Sequence, residues 1–323
     1  MVTLLATTTC NRECPYCFDM DGAGERSGRD TDQTRIPLDS AKKVIDQLVS
    51  AGKTGLTIAG GEPTLHPDLP RILDMATAAG LRIRLHTNGS FSDDVADAID
   101  GHKVTLVFNI NGPRQWDTAE RERMEALLAR FGERATVAHT IYREEFDLDP
   151  LFDLVDRLSL NREILVRLSQ PVVRRANTAP SPKQYRKIGR RLAGYARESD
   201  RRSIRLVLGC GFVLCMFSRT ELGRLFWANA DIRFACEPGL DVGPDLTLSH
   251  CLPLYTLENR NLSEFESIET AYRQYLHIPR AFSLVGMFQK CNECAHLERG
   301  QCTGGCVAHK IREHPLIAND IFM

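Results

Sequence analysis

The chain has 323 residues, 43% hydrophobic and 26% charged, with a net charge of −1. So even a balance gives no pull toward nucleic acid or an acidic membrane surface. The longest strongly apolar stretch, "LVLGCGFVLCMF", is too short to span a bilayer, and "MVTLLATTT" lacks the basic start and long apolar core of a signal peptide, so the expected location is cytoplasmic.

The first segment, "VTLLATTT", is β-branched and apolar and predicts a strand, followed at once by the loop "CNRECPYC" and the Gly- and Asp-rich stretch "DMDGAGERSGRDTDQT". Apolar residues at Ala41, Val44, Ile45, Leu48 and Val49 then mark one face of a helix, with Asp39 or Ser40 as N-cap and Gly52 as the stop. Strands "GLTIA", "RIRLHT", "VTLVFNI", "ATVAHTIY" and "EILVRLS" follow, with helical segments "PDLPRILDMATAAG", "DDVADAI", "DTAERERMEALLARFG" and "PLFDLVDRL" between them. Six strands alternating with helices predict an α/β fold with a parallel sheet and right-handed crossovers, either an open doubly wound sheet or a partial barrel. In both, chemistry belongs at the C-terminal ends of the strands.

From residue 171 the alternation weakens. Between Arg174 and Arg205 stand eleven Lys/Arg against two acids, with one helix expected over "SPKQYRKIGRRLAGYARES". This run is either a solvated basic face or a dock for an acidic partner. The expected organisation is a first domain over residues 1–170, a basic helical connector over 171–205, and a small metal-stapled domain over 206–323.

Eleven cysteines, an odd number without a secretion signal, argue against a disulfide framework. Three lie in residues 10–17 and eight in residues 210–306, and clustered thiols at this spacing bind metal in a reducing compartment. Cys10, Cys14 and Cys17 can hold three irons of a cubane cluster and leave the fourth iron open, as a catalytic centre requires; a distant cysteine could instead close the site into an electron-transfer or zinc centre. A second turn, "AGGEPTLHP", follows the second strand. Its glycines let backbone approach a ligand, Glu62 adds a carboxylate and Pro63 fixes the turn.

Together, Cys-x3-Cys-x2-Cys after strand 1 and Gly-Gly-Glu-Pro after strand 2 resemble the radical S-adenosylmethionine (radical SAM) superfamily. The resemblance covers roughly residues 2–170 and implies a partial (β/α)6 TIM-like barrel. It implies that Cys10, Cys14 and Cys17 ligate a [4Fe–4S] cluster whose open iron is chelated by S-adenosylmethionine. Cleavage of that molecule yields methionine and a 5′-deoxyadenosyl radical, which abstracts a hydrogen atom from a substrate. By matching positions, Tyr16 is the adenine contact, and Gly60, Gly61 and Glu62, with Pro63 in the same turn, contact the methionine amino group. Asn88 in "HTNG" lies near the same pocket. Asn109 stands, with Asn111, where relatives carry a ribose-facing strand end. Arg167 reaches the carboxylate or ribose, or serves as a sheet-end ion pair.

The late cysteines are Cys210, Cys215, Cys236, Cys251, Cys291, Cys294, Cys302 and Cys306. "CNECAHLERGQCTGGC" reads as C-x2-C-x7-C-x3-C, which a zinc ribbon could use. With the fourteen residues between Cys236 and Cys251, the pattern also resembles the SPASM extension of radical SAM enzymes. The departures are Leu246 in place of a glycine, a gap of seven in place of five, and no cysteine after Cys306. The resemblance implies one or two auxiliary [4Fe–4S] clusters. Cys236, Cys251 and Cys306 hold the first, with Cys210 or Cys215 as fourth ligand. Cys291, Cys294 and Cys302 hold the second, with a fourth ligand left open among the other of that pair, a late His or Asp, or none. One of Cys210 and Cys215 could instead face the substrate.

Relatives of this type mostly crosslink, epimerise or oxidise ribosomal peptides or protein side chains, with flavodoxin or ferredoxin as reductant, and this is the first functional expectation. Only nine residues precede Cys10, too few for a leader-binding domain. Either a separate leader-binding protein supplies that function or the substrate is a small molecule such as an aminoglycoside precursor or amino acid. A non-enzymatic iron–sulfur or zinc protein is the third reading. No membrane or nucleic-acid partner is indicated.

Overall fold

The computed structural model describes residues 2–18, 34–112, 116–236, 239–257 and 259–314. Most of the Gly- and Asp-rich loop read after the cysteines, residues 19–33, lies outside the described residues.

The elements run in the order β1 (Val2–Thr7), α1 (Leu38–Ser50), β2 (Gly55–Gly60), α2 (Leu69–Ala78), β3 (Arg82–Thr87), α3 (Asp93–Asp100), β4 (Val104–Asn109), α4 (Thr118–Phe131), β5 (Ala135–Ile141), α5 (Asp149–Arg157) and β6 (Glu163–Leu168). Then come α6 (Tyr185–Gly194), α7 (Ala196–Arg202), β7 (Arg205–Leu208), α8 (Arg219–Trp227), β8 (Asp231–Ile232), β9 (Leu240–Val242), β10 (Thr247–Ser249), β11 (Arg260–Asn261), α9 (Ile268–Tyr275), α10 (His277–Ala281), α11 (Ala295–Glu298) and α12 (Val307–Glu313). All six strands and five helices expected before residue 170 are present, and the chain is a mixed α/β protein built on parallel strands.

The chain divides into two compact units, each discontinuous in sequence: residues 1–108 with 238–277, and residues 109–237 with 278–323. In the first, β1 to β4 pair in parallel succession, with Thr3 opposite Thr57 and Leu85 opposite Leu106. On the other side of β1, β9 pairs in parallel, Val2 opposite Leu240, and β10 and β11 continue antiparallel. Helix α1 buries Ala41, Val44, Ile45 and Leu48, as its periodicity predicts. Val49 is 46% exposed, a correction to the expected face. At about 100° per residue it sits roughly 80° round the helix from Ala41, at the edge of the apolar stripe. The N-cap is Pro37 rather than Asp39 or Ser40, because its extended backbone already sets up the first turn; Asp39 falls inside that turn.

In the second unit β5, β6, β7 and β8 pair in parallel, Ile164 lying opposite both Val137 and Leu206. The strand–helix alternation therefore continues past residue 170, and α6 and α7 serve as the crossover into β7. The expected single helix over residues 181–199 is broken at Tyr195, next to helix-weakening Gly194. Tyr195 Oη accepts from the Leu148 amide at 3.1 Å. The basic run meets acids of the same unit: Lys187 pairs with Glu144 (3.2 Å), Arg186 with Glu221 (3.3 Å), and Arg202 with Asp153 (2.8 Å) and Asp156 (2.9 Å). Much of its charge is thus neutralised locally. Among the described residues no helix is long and apolar enough to cross a membrane.

Candidate functional site

In the first unit the ends of β1, β2 and β3 meet. Beyond β1 the chain is held by a threonine lattice: Thr7 Oγ1 donates to the Thr34 carbonyl (3.0 Å), the Thr9 amide donates to Thr7 Oγ1 (3.1 Å), and Thr9 Oγ1 donates to Thr34 Oγ1 (3.2 Å). This fixes the start of the cysteine loop, where the Cys17 amide donates to the Cys14 carbonyl at 2.9 Å. Cys10, Cys14 and Cys17 are reduced and half-buried. Burial, then the nearby Glu62 and Cys14, push the Cys10 thiol up, against the Arg12 amide and Asn88.

The β2 turn lies directly against this loop. The Gly61 amide donates to the Thr7 carbonyl and the Glu62 amide to the Thr9 carbonyl, both at 2.8 Å. Gly60 has φ +146°, and a Cβ there would stand 2.2 Å from the Thr7 carbonyl oxygen; one on Gly61 would stand 2.2 Å from that of Thr9. Only glycine allows this approach of backbone to backbone. Glu62 is fully buried. Its Oε1 accepts from the Thr64 amide (3.2 Å), Thr64 Oγ1 (2.6 Å) and Thr87 Oγ1 (2.8 Å), and its Oε2 from the Asn88 amide (2.7 Å). Burial raises its pKa, while these donors oppose the shift. The carboxylate is therefore a strut between the ends of β2 and β3. Pro63 opens the short helical turn behind it.

Asn88 completes the junction. Its Nδ2 donates to Asn11 Oδ1 (2.8 Å) and faces Cys10 Sγ at 3.9 Å, and its Oδ1 accepts from the Ser90 amide at 2.8 Å. Asn11 Nδ2 in turn donates to the Ser90 carbonyl at 3.1 Å. Sequence reasoning missed Asn11, Thr7, Thr64 and Thr87, although "ATTT" and "HTNG" flank both motifs. His66 is a satisfied core histidine: Nδ1 accepts from the Asp68 amide (3.1 Å), so Nε2 donates to the Ile36 carbonyl (2.9 Å). Tyr16 is half-buried in the cysteine loop.

Asn109 and Arg167 belong to the second unit and are half-buried there. Asn111 commits both ends of its amide to Thr140, donating to the carbonyl at 2.7 Å and accepting from the amide at 3.1 Å. It is a backbone brace.

The late cysteines split. Cys215, Cys291, Cys294 and Cys302 line one cavity of 320 Å³ in the second unit. Cys306, in the same unit, is buried; burial first, then the Cys236 thiol, push it up to about 12. Cys236 is tied to the same region, its amide donating to Thr303 Oγ1 at 2.9 Å. Cys210 is exposed, and Cys251 belongs to the first unit. Lys310 is buried beside these thiols, donating to the carbonyls of Phe282 (2.9 Å) and Thr303. Burial lowers its pKa, and the thiols of Cys236, Cys306, Cys302 and Cys291 oppose that. Among the described residues no three His, Cys, Asp or Glu side chains converge closely enough to hold a single metal ion.

Three half-buried thiols at C-x3-C-x2-C spacing beside a glycine turn form a soft donor set suited to iron–sulfur chemistry. Residues 4–115 match the family described as the radical SAM superfamily. That match covers about a third of the chain. The match implies S-adenosylmethionine and a [4Fe–4S] cluster, and the free thiols of Cys10, Cys14 and Cys17 are the donor type such a cluster takes. The chain is 38% identical over 84 residues to the AdoMet-dependent heme synthase of Methanosarcina barkeri, covering 26% of this chain and 22% of that one. It is 29% identical over 136 residues to the GTP 3',8-cyclase of Chlorobaculum tepidum, covering 40% and 36%. The matches thus span between about a fifth and a third of these relatives. Solved structures extend the likeness of fold. SuiB of Streptococcus suis, bound to S-adenosylmethionine, superposes with a TM-score of 0.69 at 16% identity, over 96% of this chain and 73% of that one. AnSMEcpe with bound AdoMet gives 0.67 at 14% identity, over 99% of both.

Proposed function

We propose that the chain is a radical SAM enzyme that acts on a ribosomal peptide or protein side chain by hydrogen-atom abstraction, leading to crosslinking, epimerisation or oxidation. The observation that carries this reading is the junction of Cys10, the Gly60–Pro63 turn and Asn88 at the ends of three neighbouring parallel strands. Bound there, the cluster and S-adenosylmethionine supply a 5′-deoxyadenosyl radical. The chain's own residues do the rest. Cys10, Cys14 and Cys17 offer the thiolates, Glu62 holds the turn whose backbone meets the amino group, and Asn88 spans the cysteine loop. Tyr16 is assigned to the adenine, and Asn109 and Arg167 to the ribose and carboxylate. The peptide substrate is supported by the shared fold with SuiB, which has been solved bound to its precursor peptide SuiA at a TM-score of 0.68 and 15% identity. A small-molecule substrate is the second reading, favoured by the GTP 3',8-cyclases among the relatives.

The SPASM-type reading belongs here too. One auxiliary cluster is assigned to Cys236, Cys251 and Cys306, with Cys210 or Cys215 as fourth ligand, and another to Cys291, Cys294 and Cys302. Eight late cysteines, enough for two four-thiolate clusters, support two sites over one zinc ribbon. A flavodoxin or ferredoxin as reductant and a cytoplasmic location complete the proposal. Anaerobic reconstitution tests it: three cubanes hold about twelve irons per chain. That count, with 5′-deoxyadenosine released under dithionite, is the expected result. Zinc without iron, or a loaded protein that never cleaves S-adenosylmethionine, would overturn it.

A further inference from the structure

The C-x2-C-x7-C segment is one thiol short of a closed cluster site. The missing thiol stands 76 positions upstream of Cys291, in the loop after β7, where Cys215 lies within the short helical turn Leu214–Met216. Cys215 lines the same 320 Å³ cavity as Cys291, Cys294 and Cys302, among apolar neighbours that include Val213, Phe217 and Leu297. The cavity is built around its sulfurs. A Cβ on Gly286 would lie 2.4 Å from Cys291 Sγ, so only glycine leaves room for that thiol. The Gly304 amide donates to Cys302 Sγ at 3.4 Å, the kind of contact that stabilises a sulfur carrying iron. All four thiols are soft donors of the kind that ligate iron–sulfur clusters.

We infer that Cys215 is the fourth protein ligand of the auxiliary [4Fe–4S] cluster held by Cys291, Cys294 and Cys302. The inference rests on the auxiliary-cluster reading above and names the ligand that closes it. Each thiol releases its proton to solvent as its sulfur–iron bond forms. With four thiolates in place no iron of this cluster is open, so it passes electrons and does not anchor substrate. His296 also lines the cavity and is the competing ligand; its Nδ1 is already engaged by Gln301 Oε1 at 2.6 Å.

The test compares reconstituted wild type with Cys215→Ala, Cys291→Ala and His296→Ala by iron and sulfide content and by electron paramagnetic resonance of the reduced protein. Cys215→Ala is expected either to lose about four irons, as Cys291→Ala does, or to yield a three-iron cluster on mild oxidation. Wild-type iron and spectrum in Cys215→Ala, or loss of the cluster in His296→Ala alone, would overturn the assignment. Full iron in Cys291→Ala would instead sink the auxiliary-cluster reading itself. A measurement on wild type avoids any folding defect of the variants. Cys215 should resist alkylation in the loaded holoprotein and react once the iron is chelated, and labelling of Cys215 in the fully loaded protein would refute its role as ligand.

Discussion

Glu62 offers a sharp separation between holding a loop and holding a ligand. Its carboxylate accepts four protein hydrogen bonds, two from the backbone amides of Thr64 and Asn88 and two from hydroxyls. In Glu62→Ala the hydroxyls can turn to other acceptors, but the two amides cannot. A buried amide without an acceptor costs about 1–3 kcal/mol. Relief of the buried charge offsets part of that, which leaves an expected loss of about 2–4 kcal/mol. Glu62→Gln keeps one acceptor oxygen and should lose about half as much. Urea unfolding of the cluster-free protein, without S-adenosylmethionine, isolates the structural part. If Glu62→Ala unfolds within about 0.5 kcal/mol of wild type, the range of an ordinary surface change, and yet fails to bind S-adenosylmethionine, the carboxylate serves the ligand and the strut argument is wrong.

Leu246 has φ +65° in the β9–β10 turn, a left-handed conformation that costs a branched residue about 1–2 kcal/mol. Leu246→Gly should therefore raise stability by about 0.5 kcal/mol once lost packing and backbone entropy are counted; a lower melting temperature would contradict this. Burial pushes Asp241 up to about 6 from 3.8, with Thr3 and the Leu252 amide opposing. Its folded pKa lies above the unfolded one, so its contribution is full below pH 4 and is lost as pH rises through 6, by about 3 kcal/mol for a shift of this size. Asp241→Asn should flatten that slope in melts recorded from pH 4 to 8, and identical slopes would refute it. In a protein loaded with the proposed auxiliary cluster, Lys310→Met should shift that cluster's potential to more negative values by tens of millivolts, because a buried cation is removed from beside the cysteine thiols that would hold it. Redox titration with an unmoved potential would show that the ammonium only packs.

The first 170 residues were legible because each strand of six or seven residues carries its own apolar pattern and each helix its own stripe. The buried–half-buried alternation of β1 and the face of α1 are local properties, and both motifs lie beside such elements. Strands β7 and β8, of four and two residues, are too short for a period to register, so their continuation of the sheet was not visible. At the site, the cysteines and glycines could be read because their spacing is local. That Glu62 points into the protein could not, since it depends on Thr87 and Asn88 arriving from another strand. Cys215 failed to declare itself for the same reason: its partners begin 76 positions later, and only the fold brings them to one cavity.

The pairing of β1 with β9 places Val2 against Leu240. On the ribosome, the strand that carries the Cys10 loop thus waits for a neighbour made some 240 residues later. At about 5–20 residues per second, that is a delay of roughly 12 to 50 seconds. The sheet around the Cys10 loop is therefore completed only as the last third of the chain is made, although β1 can pair with β2 much earlier.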